Sequence, residues 1–361
     1  MNTSVDRVRE VIASTGLSQS DFAEAVGLDA PKMSKSLGGA RRFSSLDFAR
    51  IAEVGHVTVD WLLSGVEPAF ATAARRTTGS GGEAAMAEAR RIVDLRSVAG
   101  DLGYPQEPGP PLGVSLGHSP RTDGEALAGA ALHVTGEELH DGDLVDLIER
   151  HFGIDVGIAD LGEGFDGLSV VTPDARAILV SPTALAARQR FTLAHELGHV
   201  LAEDDQGVHL DQDIYSTSLR KDPTEVRANA FAAAFLMPAA LLTARVTPGF
   251  DESHFCNLVL DCQVSPSALA IRLGTLCLID SIAADSFKAM TYAQAAHRTH
   301  RAADVARSSA KSSVLRPPAA LARDLFAAYS DGETTLRPYA TLLGVDPAEL
   351  RAGLEATAEA M

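Results

Sequence analysis

Hydrophobic residues recur at helical spacing towards both ends of this chain, and at strand spacing only in a short central stretch. Residues 1–66 predict five short helices, from Ser4 to Ser14, Ser18 to Gly27, Asp29 to Gly38, Leu46 to Val54 and Thr58 to Leu63. The second has a capping Ser18, a stripe of Phe22, Ala23 and Val26, and a terminal Gly27; the third has Pro31 in its first turn. The corner Gly27-Leu28-Asp29 between them predicts a helix-turn-helix, with the third helix as groove reader. Small and polar residues then end in Thr77-Thr78-Gly79-Ser80-Gly81-Gly82, a linker signature. Glu83 to Leu102 predicts a helix. Gly103 to Gly124, with Pro105, Pro108, Pro110, Pro111 and Pro120, predicts an extended segment, and Leu127 to Leu132 one more helical turn or two.

A second regime begins near residue 137. Leu139 to Phe152 reads as a helix, Ile154 to Ile158 alternates like a half-buried strand, and Gly167 to Thr172 with Arg176 to Val180 flank a turn as in a β-hairpin. A helix from Ala184 to Glu203 follows, then an acidic, irregular stretch from Asp204 to Lys221, then a helix from Thr224 to Leu236 ended by Met237-Pro238. Past Pro317-Pro318, three short helices are predicted: Ala319 to Tyr329, Thr335 to Leu343 and Pro347 to Leu354. The pattern predicts a multidomain chain: an all-α helix-turn-helix domain (1–66), a linker holding a helix and a Pro/Gly-rich segment (67–136), an α+β domain (137–290) and a mostly helical C-terminal region (291–361). That last region suits a helical docking or dimerisation cap better than a second helix-turn-helix.

The Ala184–Glu203 stretch carries the chemistry, His195-Glu196-Leu197-Gly198-His199. Four helical residues turn about 400° and rise about 6 Å, so the two histidines share a face. Imidazoles so placed can hold one zinc at about 2.0–2.1 Å, and Glu196 beside them can take a proton from an attacking water. The apolar stripe Leu193, Leu197, Val200 and Leu201 lies roughly 200° away, which predicts one buried side and accessible ligands. Gly198 inside the helix costs about 1 kcal/mol relative to Ala, which suits close approach by substrate or a packed strand. A third ligand has two candidates. On the Thr224–Leu236 helix, Ala228 and Ala232 share the Glu225 face, so that helix can come close and bring Glu225 to the histidines. Asp222-Pro223-Thr224-Glu225 fits a capping box equally well. Asp205 continues the motif at metzincin-like spacing, but Ala202 stands where that arrangement turns on glycine. Asp204 and Asp205 read more simply as solvated residues beyond the helix end.

Composition narrows the setting. With 361 residues, 46% of them hydrophobic, the chain can bury several cores, and no apolar run approaches membrane-spanning length. The polar N-terminal residues lack a secretory h-region, and three cysteines without Cys-x-x-Cys spacing read as reduced thiols, which together predict a cytoplasmic protein. The net charge of −17 argues against non-specific nucleic-acid binding. Against that trend, Lys32, Lys35, Arg41 and Arg42 cluster on or just after the third helix, and with Ser34 they are candidate DNA contacts. The first 65 residues hold 7 Lys and Arg against 8 Asp and Glu, so a protein-docking module is the competing reading.

Two resemblances follow from these motifs. Leu17-Ser18-Gln19-Ser20-Asp21-Phe22-Ala23, Gly27-Leu28 and Val59-Asp60-Trp61-Leu62-Leu63 resemble the XRE family of phage-repressor-like helix-turn-helix domains. From about Asp143 to Asp280 the chain resembles the ImmA/IrrE family of zinc metallopeptidases, through Arg188 to His199, Glu225 to Ala232 with Leu236-Met237-Pro238, and Val264 to Leu273. The second resemblance implies a gluzincin-like α+β fold, metal ligands at His195, His199 and Glu225, and a catalytic Glu196. It also implies a regulatory endopeptidase whose substrate is a helix-turn-helix repressor of phage, mobile-element or stress genes. Zinc is the expected metal, and a two-His-one-Glu set also suits manganese or iron. His209 and Tyr215, between the two ligand helices, are candidate transition-state donors. The alternatives are a DNA-binding transcriptional regulator, acting as a homodimer and using the peptidase-like domain as a sensor, and an antitoxin-like partner-binding protein.

Overall fold

In the computed structural model the described residues are 3–55, 57, 59–64, 82–136, 139, 142–204, 207–212 and 222–359. They fall into two compact units, Met1–Thr78 and Gly79–Met361.

The first unit holds helices Ser4–Thr15, Gln19–Ala25, Ala30–Leu37, Ser45–Gly55 and Val59–Ser64. Their starts are fixed locally: Thr3 and Asp6 form a capping box, Ser18 accepts from the Asp21 N–H, and Asp29 accepts from the Lys32 N–H. The corner after the second helix turns at Gly27 with φ +68°, where a side chain would also meet Arg50. Val8, Val11, Phe22, Met33, Phe48, Ile51 and Leu62 close a core of their own. Arg7 donates to the Leu62 and Leu63 carbonyls and Arg9 to that of Leu37, so the first helix ties down the ends of the third and fifth. Of the predicted DNA contacts, Lys32, Ser34, Lys35 and Arg42 are exposed, whereas Arg41 is engaged internally. Its guanidinium pairs with buried Asp47 at 2.8 Å and donates to the Ser36 hydroxyl at 2.9 Å. Burial pushes the Asp47 carboxyl up, yet hydrogen bonds from Ser44 and the Arg41 charge hold it below its ordinary value.

The second unit is built round a four-stranded sheet in the order β1-β3-β2-β4, with β1 Asp155–Ile158, β2 Phe165–Val171, β3 Arg176–Val180 and β4 Gly207–Gln212. β2 runs antiparallel to β3 and β4, while β1 lies parallel to β3 with Val156 opposite Ile178. Successive strand residues point to opposite faces, and Ile178 and Leu179 are both fully buried, so the sheet is covered on both sides. The Ala186–Ala202 helix, which carries the His-Glu-x-x-His motif, packs on β2 and β3; the Gly82–Asp101 helix packs on β2, β3 and β4. β4 falls in the stretch expected to be irregular. It is a short edge strand, and its polar residues hide the alternation.

Two further expectations are corrected. Gly82–Asp101 and Pro120–Thr135, read as parts of a linker, are helices of the second unit's core. Arg96, 1% exposed, donates to both Asp155 carboxylate oxygens at 2.7 and 2.5 Å and to Asp324 at 2.7 Å. Gly124 lets the Pro120–Thr135 helix lie against the Pro223–Leu236 helix, because a Cβ there would stand 2.3 Å from the Arg227 carbonyl. The C-terminal region belongs to this unit as well. Arg316 forms a β-bridge with Ile158, covering the outer edge of β1, and its guanidinium reaches Asp143 at 3.0 Å and also Asp146. The linker stretch 77–81 lies outside the described residues.

Beneath that edge sits Glu149, which accepts from the Val156 and Ala320 N–H groups at 3.2 and 3.4 Å. Burial, aided by the nearby Asp155 charge, pushes its carboxyl up to about 7. The folded state therefore holds this proton over a pH range, from about 4.5 to 7, in which the unfolded chain has released it. The stability it contributes is present at low pH and is lost as pH rises through about 7. Glu149→Gln is expected to gain stability over wild type between pH 5 and pH 8, by on the order of 2 kcal/mol. Melting curves at the two pH values check this; a constant difference would refute it.

Candidate metal centre

The motif helix starts at Ala186 and is fastened within its first turn. Arg188 donates to Asp166 of β2, and the Gln189 amide donates to the Ser181 and Ser312 carbonyls, each at 2.9 Å. The helix is not amphipathic in place. Every residue from Thr192 to Val200 is buried, including His195 and Glu196 at 0% and His199 at 3% exposure. A second helix, Pro223–Leu236, lies on the side expected to stay open. Gly198 explains how: a Cβ there would sit 3.0 Å from the Phe231 ring and 3.3 Å from the Ala228 Cα. The close approach predicted at Gly198 is therefore by this helix and not by a strand or substrate. Buried Ala228 and Ala232 make the matching surface.

That packing brings Glu225 to the histidines. Its carboxylate oxygens lie 3.3 Å from His195 Nε2 and 3.5 Å from His199 Nε2, and the two Nε2 atoms are 3.1 Å apart. Ligand atoms of all three residues lie within 4.8 Å of one another, and this is the only such group among the described residues. Asp222 caps the helix through the Thr224 N–H and leaves Glu225 turned to the cluster, 3% exposed. Two neutral imidazole nitrogens and one carboxylate, dry and converging, fit a tetrahedral divalent ion with one position left over. Glu196 is one residue along from His195 and lies against β2. Gly167 there has no side chain, and a Cβ would stand 3.2 Å from a Glu196 oxygen and 2.6 Å from Thr192 Cγ2. A register shift of β2 against β4 occurs at the same glycine.

His209 stands on β4 opposite Ser169 of β2, rather than in a loop; Tyr215 and Asp205 lie outside the described residues. Asp204 is not solvated. Its side chain is 2% exposed, 3.1 Å from His199 Nδ1, and paired with Arg227. Spacing marks neither Asp204 nor Arg227 nor Gly167 as functional. Arg227 sits two residues beyond Glu225, and that adjacency is the only signal.

A histidine pair on one helix and a glutamate from a second, set beside a small sheet, form a group able to hold a metal ion. Residues 149–274 match the model of the Peptidase_M78 family, the IrrE N-terminal-like domain. The chain is similar to the radiation response metalloprotease IrrE of Deinococcus radiodurans, with 37% identity over 91 residues, 25% of this chain. It is also similar to that of Deinococcus deserti, with 38% identity over 76 residues, 21% of this chain. The chain spans only 27% of the length of either relative. Among the described residues no single helix is long and apolar enough to cross a membrane.

Proposed function

We propose that this protein is a regulatory metalloendopeptidase, gluzincin-like, acting in the cytoplasm on a helix-turn-helix repressor. The observation that carries the reading is the convergence of His195, His199 and Glu225 within 4.8 Å, with Glu196 as the next side chain on the same helix. His195, His199 and Glu225 would hold the metal, zinc in the first instance and manganese or iron as alternatives. A metal held there would polarise the scissile carbonyl and make water acidic enough to react near neutral pH. Glu196 takes the proton as water attacks and delivers it to the leaving amine. Burial of the cluster excludes bulk water, so this carboxylate acts at short range in a low-dielectric pocket. The relatives' name, radiation response metalloprotease, makes a stress-linked derepression the natural physiological setting. The test is incubation of the purified, metal-loaded protein with the helix-turn-helix repressor encoded nearest to it. A specific cut that chelation prevents supports the reading; an intact repressor under both conditions counts against this substrate class.

A second reading concerns the first unit, because Lys32, Ser34, Lys35 and Arg42 stand exposed along one helix and the turn after it. Operator binding as a homodimer would place these side chains on phosphates and base edges. Arg41 drops out of that set, since its guanidinium braces Asp47. Neutralising Lys32 and Lys35 together is expected to weaken binding at every sequence and flatten the salt slope by about two units. A gel-shift titration against the protein's own promoter measures this, and an unshifted probe at low salt would leave the unit as a protein-docking module.

A further inference from the structure

Two charged side chains beside the cluster, the buried carboxylate of Asp204 and the partly buried guanidinium of Arg227, have no part in the proton transfers above. Asp204 reaches its place because the motif helix ends in an unusual way. Glu203 caps it in the left-handed region, φ 54° and ψ 37°, a conformation that glycine normally supplies. The turn folds the chain back, so that the Asp204 N–H donates to the His199 carbonyl at 3.3 Å. One Asp204 oxygen then lies 3.1 Å from His199 Nδ1, while the other pairs with the Arg227 guanidinium. His199 is thus held from two sides: Nδ1 meets a carboxylate, and Nε2 faces His195 and Glu225. A neutral imidazole beside a carboxylate keeps its proton on the contacting nitrogen. Here that nitrogen is Nδ1, which leaves the Nε2 lone pair directed into the cluster. Were the proton on Nε2, that lone pair would be closed to any metal.

We propose that Asp204 is a positioning residue for His199, fixing its Nδ1–H tautomer and ring angle, and that Arg227 locks Asp204 from the second ligand helix. This role rests on the reading of His195, His199 and Glu225 as the metal ligands. Under it, the Pro223–Leu236 helix acts twice, presenting Glu225 to the cluster and, two residues on, anchoring the support of a ligand on the other helix. A merely mechanical role is the competing account, in which Asp204 and Arg227 staple the end of one helix to the other.

The two accounts separate in the full-length protein. Zinc affinity, measured by competition with a chromophoric chelator, is expected to fall about 10- to 100-fold in Asp204→Ala, with a smaller loss in Asp204→Asn, whose amide oxygen still accepts. In the metal-free state, nitrogen-15 spectra of the histidine rings should show His199 protonated at Nδ1 in wild type and shifted towards Nε2 in Asp204→Ala. A staple alone would lower the melting temperature of all variants without moving the tautomer. Unchanged zinc affinity and an unchanged His199 tautomer in Asp204→Ala would overturn the proposal. If Asp204→Ala does not fold, Asp204→Asn and Arg227→Gln carry the zinc comparison, and zinc affinity unchanged in both overturns the proposal. Folded wild type that binds no zinc would remove the ligand reading itself, and the role of Asp204 with it. Tight binding by wild type and by every variant alike would remove only the role of Asp204.

Discussion

Glu196→Gln is expected to abolish peptide cleavage while leaving one metal per chain in place. Glu196 is fully buried and lies against β2 at Gly167, on the same helix as both histidines but outside the ligand set of His195, His199 and Glu225. Glutamine keeps the shape and removes the base, so the loss falls on proton transfer and not on metal retention. General-base catalysis contributes on the order of 10²-fold or more, so turnover should drop at least that far. Repressor cleavage followed on a gel, with elemental analysis of the same preparation, measures both quantities; cleavage at wild-type rate would discard the assigned base. Gly167→Ala is a positional companion. Its Cβ would stand 2.6 Å from Thr192 Cγ2 and 3.2 Å from the Glu196 oxygen, so it should slow cleavage with the carboxylate intact.

The second large effect is on the metal. His195→Ala combined with His199→Ala leaves Glu225 as the single member of the cluster, and metal content is expected to fall from one per chain to background. Because a metal that binds only the folded state stabilises it by mass action, wild type should also melt lower after chelation. The difference is about 3 kcal/mol when free metal stands at 100 times its dissociation constant. The double variant should show no chelator effect. Equal metal content in wild type and variant would place the ion elsewhere.

What the sequence discloses follows from the range of the interactions. The His-Glu-x-x-His face is set by four residues of one helix, and spacing alone defines it. The small face of Ala228 and Ala232 points to close helix packing, and Gly198 to a near neighbour, but neither says what that neighbour is. Spacing leaves Glu225 divided between a cap and a ligand, because the choice depends on a second helix whose approach no local pattern encodes. Asp204 reads as solvated because its burial depends on one left-handed residue, Glu203. Arg96 gives no sign of its role, since its partners Asp155 and Asp324 lie 59 and 228 residues away. The edge strand β4 is hidden among acidic residues, where a short strand has too few apolar positions to alternate.

The way the C-terminal residues close the second unit has a consequence for the order of synthesis. In the first unit, the ties from Arg7 to Leu62 and Leu63 span about 55 residues, so it can fold while the rest is still being made. The second unit cannot finish so early. Until Arg316 and Asp324 leave the ribosome, the outer edge of β1 is uncovered and Arg96 lacks one of its two carboxylates. An uncovered strand edge recruits strands from other chains. A fragment cut near residue 290 would therefore carry His195, Glu196, His199 and Glu225 and still aggregate. Under the proposed function, a soluble recombinant peptidase is expected to need residues at least through Ser330, where the Ala319–Ser330 helix ends.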